Sequence, residues 1–259
     1  MSASLDLLGI AQAYVDSRSD VVGKTRLAEL SSVYCLLDGD FCLEVADYVD
    51  RAPVQVCDAD LLSRYDRLKD ETLAQFHALR DAGLTVLPWR AAGQPYGNSA
   101  DLIDRVRRTG VLYVYLTRDG HGPAGSLEPR HHPMRDGSGV RVAGVEFSHN
   151  DLFRAVHDAF GHVMFGNDFG PEGELKAVYC HIHMYSPCLE PLLFTEHLGQ
   201  VCWFYFGAHL RDGNGQIPAR DSPDYVPPAR RPYAEQKVFM FDQGFIDRFH
   251  GMFGKQETV

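Results

Sequence analysis

Two histidines five residues apart, His157 and His162, sit in the run Phe-Arg-Ala-Val-His-Asp-Ala-Phe-Gly-His over residues 153–162, and a glutamate follows at Glu196. Two imidazoles and one carboxylate are the donor set of a mononuclear non-haem iron(II) centre. Three ligands on one face leave the remaining positions open to substrate, dioxygen or water. Seven of the 12 histidines fall between positions 149 and 209, on segments with helical periodicity. His157 is bracketed by Phe153, Val156 and Phe160, and Glu196 by Leu192, Leu193, Phe194 and Cys202. A carboxylate in such apolar company is costly unless a cation or a hydrogen-bond donor compensates it.

Spacing constrains how the two histidines meet. Residues five apart are about 140° apart around an ideal α-helix, too far for both to face one ion from a straight helix. Gly161 offers a way out, because glycine enters the left-handed conformation that ends helices. The expectation is that His157 lies in a last helical turn and His162 at or just past its end, with Glu196 arriving from the next long helix.

His-Asp-Ala-Phe-Gly-His resembles the His-Glu-x-x-Gly-His signature of the pterin-dependent aromatic amino acid hydroxylases, and also a run shared by uncharacterised bacterial and phage proteins. In the hydroxylases the two histidines and a Glu some forty residues later bind iron(II), the Glu lying in a stretch of the sense Phe-Thr-Val-Glu-Phe-Gly. Here the corresponding stretch is Phe194-Thr195-Glu196-His197-Leu198-Gly199, and Glu196 stands 34 positions after His162. Taken with one residue missing after Thr195, the resemblance implies His157, His162 and Glu196 as iron ligands. It places Asp158 where the family has a Glu near the pterin and the metal-bound water. It makes Arg141, 16 residues before His157, the nearest candidate for the arginine that grips the substrate carboxylate. The implied cofactors are Fe(II) and a tetrahydropterin; the chain's own periods, with no convincing linker, point to a mainly α (α+β) single domain over residues 1–259 with a small minor sheet, as the resemblance also implies. The match covers about 70 of the 259 residues.

His181 stands seven residues after Glu174, on the same helix face, so the two form either a pair that orients a ligand or part of a second metal site. The His157-Asp158 dipeptide also permits a metal-dependent phosphohydrolase of the His-Asp type, with His131 or His132 as an upstream ligand. A helical binding protein without catalysis is the third reading.

The elements that would hold these residues are mostly helical by period. Residues 4–17 and 25–49 carry helix-spaced apolar positions. Asp58 is placed to cap a long helix running through about Ala82 and stopped by Gly83. Leu84–Trp89 and Val111–Thr117 read as short strands around a helix near Ser99–Arg108, capped by Asn98 or Ser99. Residues 118–139 read as loop. Helical pattern resumes from Ser148 to Phe165, then at about Glu174–Tyr185 and from Ser186-Pro187 to about Phe206. Residues 211–233, with Pro218, Pro223, Pro227, Pro228 and Pro232, read as irregular, and one or two helices close the chain between Tyr233 and Phe253.

The formal charge of −10 argues against a nucleic-acid or anionic-membrane surface, either of which needs clustered Lys and Arg. The six cysteines form no Cys-x-x-Cys pair, and neither a signal-peptide pattern nor an 18-residue apolar run is present. The expected setting is the reducing cytoplasm, and the expected partners are a small-molecule substrate and dioxygen.

Overall fold

Helices dominate the computed structural model, which describes residues 5–18, 25–56, 58–119 and 131–255. Helix α1 spans Leu7–Ser17, α2 Gly39–Arg51, α3 Ala59–Asp81 and α4 Ser99–Thr109. Helix α5 (His149–His157) runs without a break into a π-helical segment, Asp158–Val163. Helix α6 is Pro171–Ile182. A short α7 (Glu190–Leu193) then leads through a second π segment, Phe194–Leu198, into α8 (Gly199–Phe206), and α9 (Gln243–Gly251) is the last helix. No described helix is long and apolar enough to cross a membrane.

Local chemistry accounts for most of these boundaries. The Asp58 carboxylate accepts from the Leu61 N–H at the head of α3, and Gly83 follows the end of α3 at φ 99°. Asn98 caps α4 in the same way, and Gly110 ends it at φ 65°. Helix α4 is the crossover between β2 (Thr85–Pro88) and β3 (Val111–Val114), which pair in parallel with Thr85 opposite Val111.

The minor sheet is divided into three two-stranded pieces. Residues 25–49 do not form one helix: Leu27–Ser32 is a 3₁₀ turn, Val33–Cys35 is strand β1, and Asp38 then caps α2. Strand β1 pairs antiparallel with β6 (Phe253–Lys255), a partner more than 200 residues away that no local periodicity could announce. The expected 118–139 loop lies partly outside the described residues, and its end is ordered: Gly137–Val142 (β4) pairs with Val145–Ser148 (β5).

Two apolar cores share the long helices. One collects Leu7, Ala11 and Val15 of α1 with Val86, Leu102, Leu112 and Val114. The other collects Phe41, Val45, Leu189, Leu192, Phe194, Phe239 and Phe249. Helix α3 sends Leu61, Tyr65 and Leu68 into the second core and Phe76 and Leu79 into the first. The α5–π helix likewise gives Val156, Ala159, Phe160 and Val163 to the first and Phe153 to the second. His157 therefore stands on the seam between them.

Candidate metal centre

The π segment, rather than a helix end, brings the two histidines together. Gly161 is not left-handed; the helix passes through it, and the left-handed terminator is Gly166 at φ 78°. At the end of the π stretch the amide of Met164 bonds to the carbonyl of Ala159, five residues back, and the helix then closes with Gly166 and Asn167 both bonding to the His162 carbonyl. The widened turn brings residues five apart nearly into line. His157 Nε2 and His162 Nε2 consequently lie 3.1 Å apart, with both rings buried. Gly161 serves by being small: a Cβ there would lie 2.7 Å from His157 Cε1 and 2.8 Å from its Nδ1.

Two further side chains join this pair. Glu174, from the first turns of α6, brings Oε2 to 3.4 Å from His162 Nε2. His197, from the second π segment, sets its ring edge-on to His157 with centroids 3.8 Å apart. One ligand atom each from His157, Glu174 and His197 lies within 4.8 Å of the others. Three imidazoles and a carboxylate thus converge, from three helical elements.

Burial, followed by the neighbouring imidazoles, pulls His157 and His197 well below the usual histidine range, which favours their neutral forms. His162 differs: burial lowers it, but the Glu174 carboxylate and Asp158 outweigh burial and push it up to about 9. Its Nδ1 also bonds to the Asn167 carbonyl at 3.0 Å. The Glu174 carboxylate and the three imidazoles thus favour a positive charge among them. A divalent cation meets the same demand. Two cis nitrogen ligands at metal–nitrogen distances of about 2.1 Å would lie about 3.0 Å apart, close to the separation seen. His157 Nδ1 is buried with no hydrogen-bond partner among the described residues, so its polarity is not spent on an internal contact. The donor set fits a borderline divalent metal.

Glu196 is turned away from this convergence. Its Oε1 accepts from the Tyr65 hydroxyl at 2.5 Å and lies 3.5 Å from His132 Nε2. Burial pushes its carboxyl up to about 8, against the lowering effect of Tyr65. Consecutive helical residues point about 100° apart. With Phe194 and Leu198 committed to the second core, His197 faces Phe153 and His157 of α5, while Glu196 faces α3.

Of the other expected site residues, Asp158 and His181 stay near the cluster and Arg141 does not. Asp158 is mostly buried. Burial lifts its carboxyl to about 6, with His162 and Arg154 opposing and Glu174 assisting. His181 is buried with its ring 5.6 Å from that of His157, and its Nε2 bonds to Gln75 Oε1 at 3.0 Å, not to Glu174. Burial pulls it down to about 3. Arg141 stands exposed on β4, 3.8 Å from Glu146 across the hairpin and not in the buried cluster. Arg154 of α5, nearer the cluster than Arg141 but not among the expected site residues, donates to the Tyr115 carbonyl.

His197 is the residue that motif reading passed over, and its signal lay in the chain. Aligned without a gap, Phe194-Thr195-Glu196-His197-Leu198-Gly199 sets His197, not Glu196, opposite the Glu of Phe-Thr-Val-Glu-Phe-Gly. No protein-family model, curated protein or solved structure matches this chain.

Proposed function

We propose that this chain is a non-haem iron(II)-dependent oxygenase that uses dioxygen on a small, aromatic or amino-acid-like substrate. In this reading His157, His162, His197 and Glu174 hold the iron. The observation that carries it is the 3.1 Å approach of His157 Nε2 and His162 Nε2, produced by a π turn and closed by Glu174 and His197. Bound there, iron(II) would supply one-electron chemistry and open positions for dioxygen and substrate.

The chain's own groups have separate tasks. Glu174 contributes the negative charge that offsets a dication among neutral imidazoles. Asp158, mostly buried and raised to about 6 by that burial, is the group beside the cluster suited to hold or release a proton near neutral pH. Phe153 packs against His197, and Phe169 lies edge-on to His162 with centroids 4.9 Å apart; both keep bulk water from the ligands.

The test is metal content after anaerobic reconstitution with ferrous ion, beside oxygen uptake with a panel of aromatic amino acids, with and without tetrahydropterin. His157→Ala, His162→Ala, His197→Ala and Glu174→Ala are each expected to lose iron, whereas Glu196→Gln keeps it. Stoichiometric iron in His157→Ala would sink the proposal. Loss in Glu196→Gln with retention in His197→Ala would return the third position to Glu196. Iron binding without oxygen uptake, joined by manganese-dependent phosphate release, would favour hydrolysis instead.

A further inference from the structure

Asn167 meets His162 twice through its backbone and the neighbouring Gly161 once through its side chain. The backbone carbonyl receives His162 Nδ1 at 3.0 Å. The side-chain Nδ2 donates to the Gly161 carbonyl at 2.8 Å, inside the π segment. The Asn167 amide closes the loop by bonding back to the His162 carbonyl at 3.2 Å, while Gly166 beside it takes the left-handed turn. The residue is buried. Three hydrogen bonds thus tie one asparagine to residues 161 and 162, and two of them act on the ligand itself.

Resting on the metal-centre reading above, we propose that Asn167 is a positioning residue for the metal: it fixes the ring orientation and tautomer of His162 and locks the π register that pairs His162 with His157. The chemistry is specific. A carbonyl at Nδ1 requires Nδ1–H there, which leaves the Nε2 lone pair as the donor facing His157 and Glu174. The side-chain bond to Gly161 keeps that carbonyl in place, since it anchors residue 167 to the turn it must serve. The bonds to the Gly161 and His162 carbonyls also cap the helix end; what a cap alone does not require is the His162 imidazole under the Asn167 carbonyl.

Cobalt(II) titration of the full chain, followed by its visible ligand-field spectrum, tests this. Asn167→Ala keeps the backbone carbonyl under His162 but removes its anchor to Gly161, and is expected to weaken cobalt binding about tenfold, the low end for disturbing a group that orients a ligand, and to alter the spectrum. Asp168→Ala is the structural comparison. Asp168 Oδ1 accepts from the Gly170 amide at 2.6 Å, so its loss loosens the same turn without touching His162. It should lower the melting temperature yet leave cobalt affinity and spectrum as in the parent. Asn167→Asp keeps the size but removes the donor to Gly161, and should behave like Asn167→Ala. Parental affinity and spectrum in both Asn167 variants would reduce the residue to a helix terminator and overturn the inference. A parent chain that takes up no cobalt would instead remove the metal centre, and this inference with it.

Discussion

Gly161 lies under the His157 imidazole, and this contact fixes what the site tolerates. A Cβ at 2.7 Å from Cε1 is inside any allowed separation, and Ala177 Cβ at 3.2 Å closes the other side, so the ring must rotate. Overpacking of this kind costs roughly 1–3 kcal/mol. Replacing glycine inside a helix returns about 0.8–1.0 kcal/mol. Gly161→Ala should therefore fold, with a net loss of at most about 2 kcal/mol by these figures. Its metal affinity, by contrast, should fall at least about tenfold, as when a ligand is displaced from its geometry. Calorimetry paired with metal titration separates the two effects, and undiminished affinity would contradict the placement of His157. At this scale the sequence was informative about types and misleading about reasons. It marked His157, His162 and Gly161 together, yet the glycine works through its missing side chain rather than through its backbone freedom. For the third direction the motif offers Glu196, whereas the structure turns His197 toward His157; which of the two faces the cluster depends on the face that Phe194 and Leu198 commit to the core. A motif with a movable gap leaves that face open.

Helix α5 can present its histidines only if its start is fixed, and Asp151 fixes it. The Ser148 hydroxyl receives the Asp151 amide, and Asp151 Oδ2 receives the Ser148 amide at 2.8 Å, forming a capping box. Asp151 Oδ1 accepts in addition from the amide and the hydroxyl of Thr117, both at 2.7 Å, tying the helix to the chain just past β3. Asp151→Ala leaves buried donors at Ser148 and Thr117 without their acceptor. At about 1–3 kcal/mol for an unsatisfied buried group, plus roughly 1 kcal/mol for the cap, the loss should reach about 3 kcal/mol. Urea unfolding should show a lower midpoint at unchanged slope, and a change below about 1 kcal/mol would mean the box is incidental. The start of this helix was readable from Ser148 onward, because caps are local. The π turns were not readable. Hydrogen-bond register is settled by what the helix packs against, here Phe153 toward one core and Val156, Phe160 and Val163 toward the other. Strands β1 and β6 escaped for a related reason: three residues each, paired across almost the whole chain.

Across the whole molecule, the N-terminal helix is tied to the site-bearing helices through one buried carboxylate, Glu71 of α3. Its Oε1 accepts from Arg18 Nη2 at 2.7 Å, from Arg67 Nε at 2.9 Å and from Ser186 Oγ at 2.5 Å, and its Oε2 accepts from the Ser186 amide at 2.9 Å. Arg18 follows α1, and Ser186 lies in the turn between α6 and α7, so three parts of the fold meet at this side chain. Burial alone would raise Glu71, but the bonds from Arg18, Ser186 and Arg67 outweigh it and hold the carboxyl below its ordinary 4.5. The sign of the pH effect follows. Above 4.5 both folded and unfolded chains carry the charge, and the stabilisation is complete. As pH falls below that value the unfolded chain takes the proton first, and the contribution drains away until the folded carboxyl is protonated too. Glu71→Gln removes the anion between Arg18 and the partly exposed Arg67, which keep their bonds to Ser186 Oγ, and should cost about 2 kcal/mol at neutral pH, in the range for hydrogen bonds to charged groups. Because the other acidic groups titrate alike in both proteins, the difference between parent and variant isolates Glu71. That difference in melting temperature should stay constant from neutral pH down to about 4.5 and then shrink with further acid, as expected for a carboxylate held low by its partners. A gap still constant at about pH 3, below the usual carboxylate range, would show that Glu71 is not stabilised as the anion and that these contacts do not bind α1 to the rest of the fold.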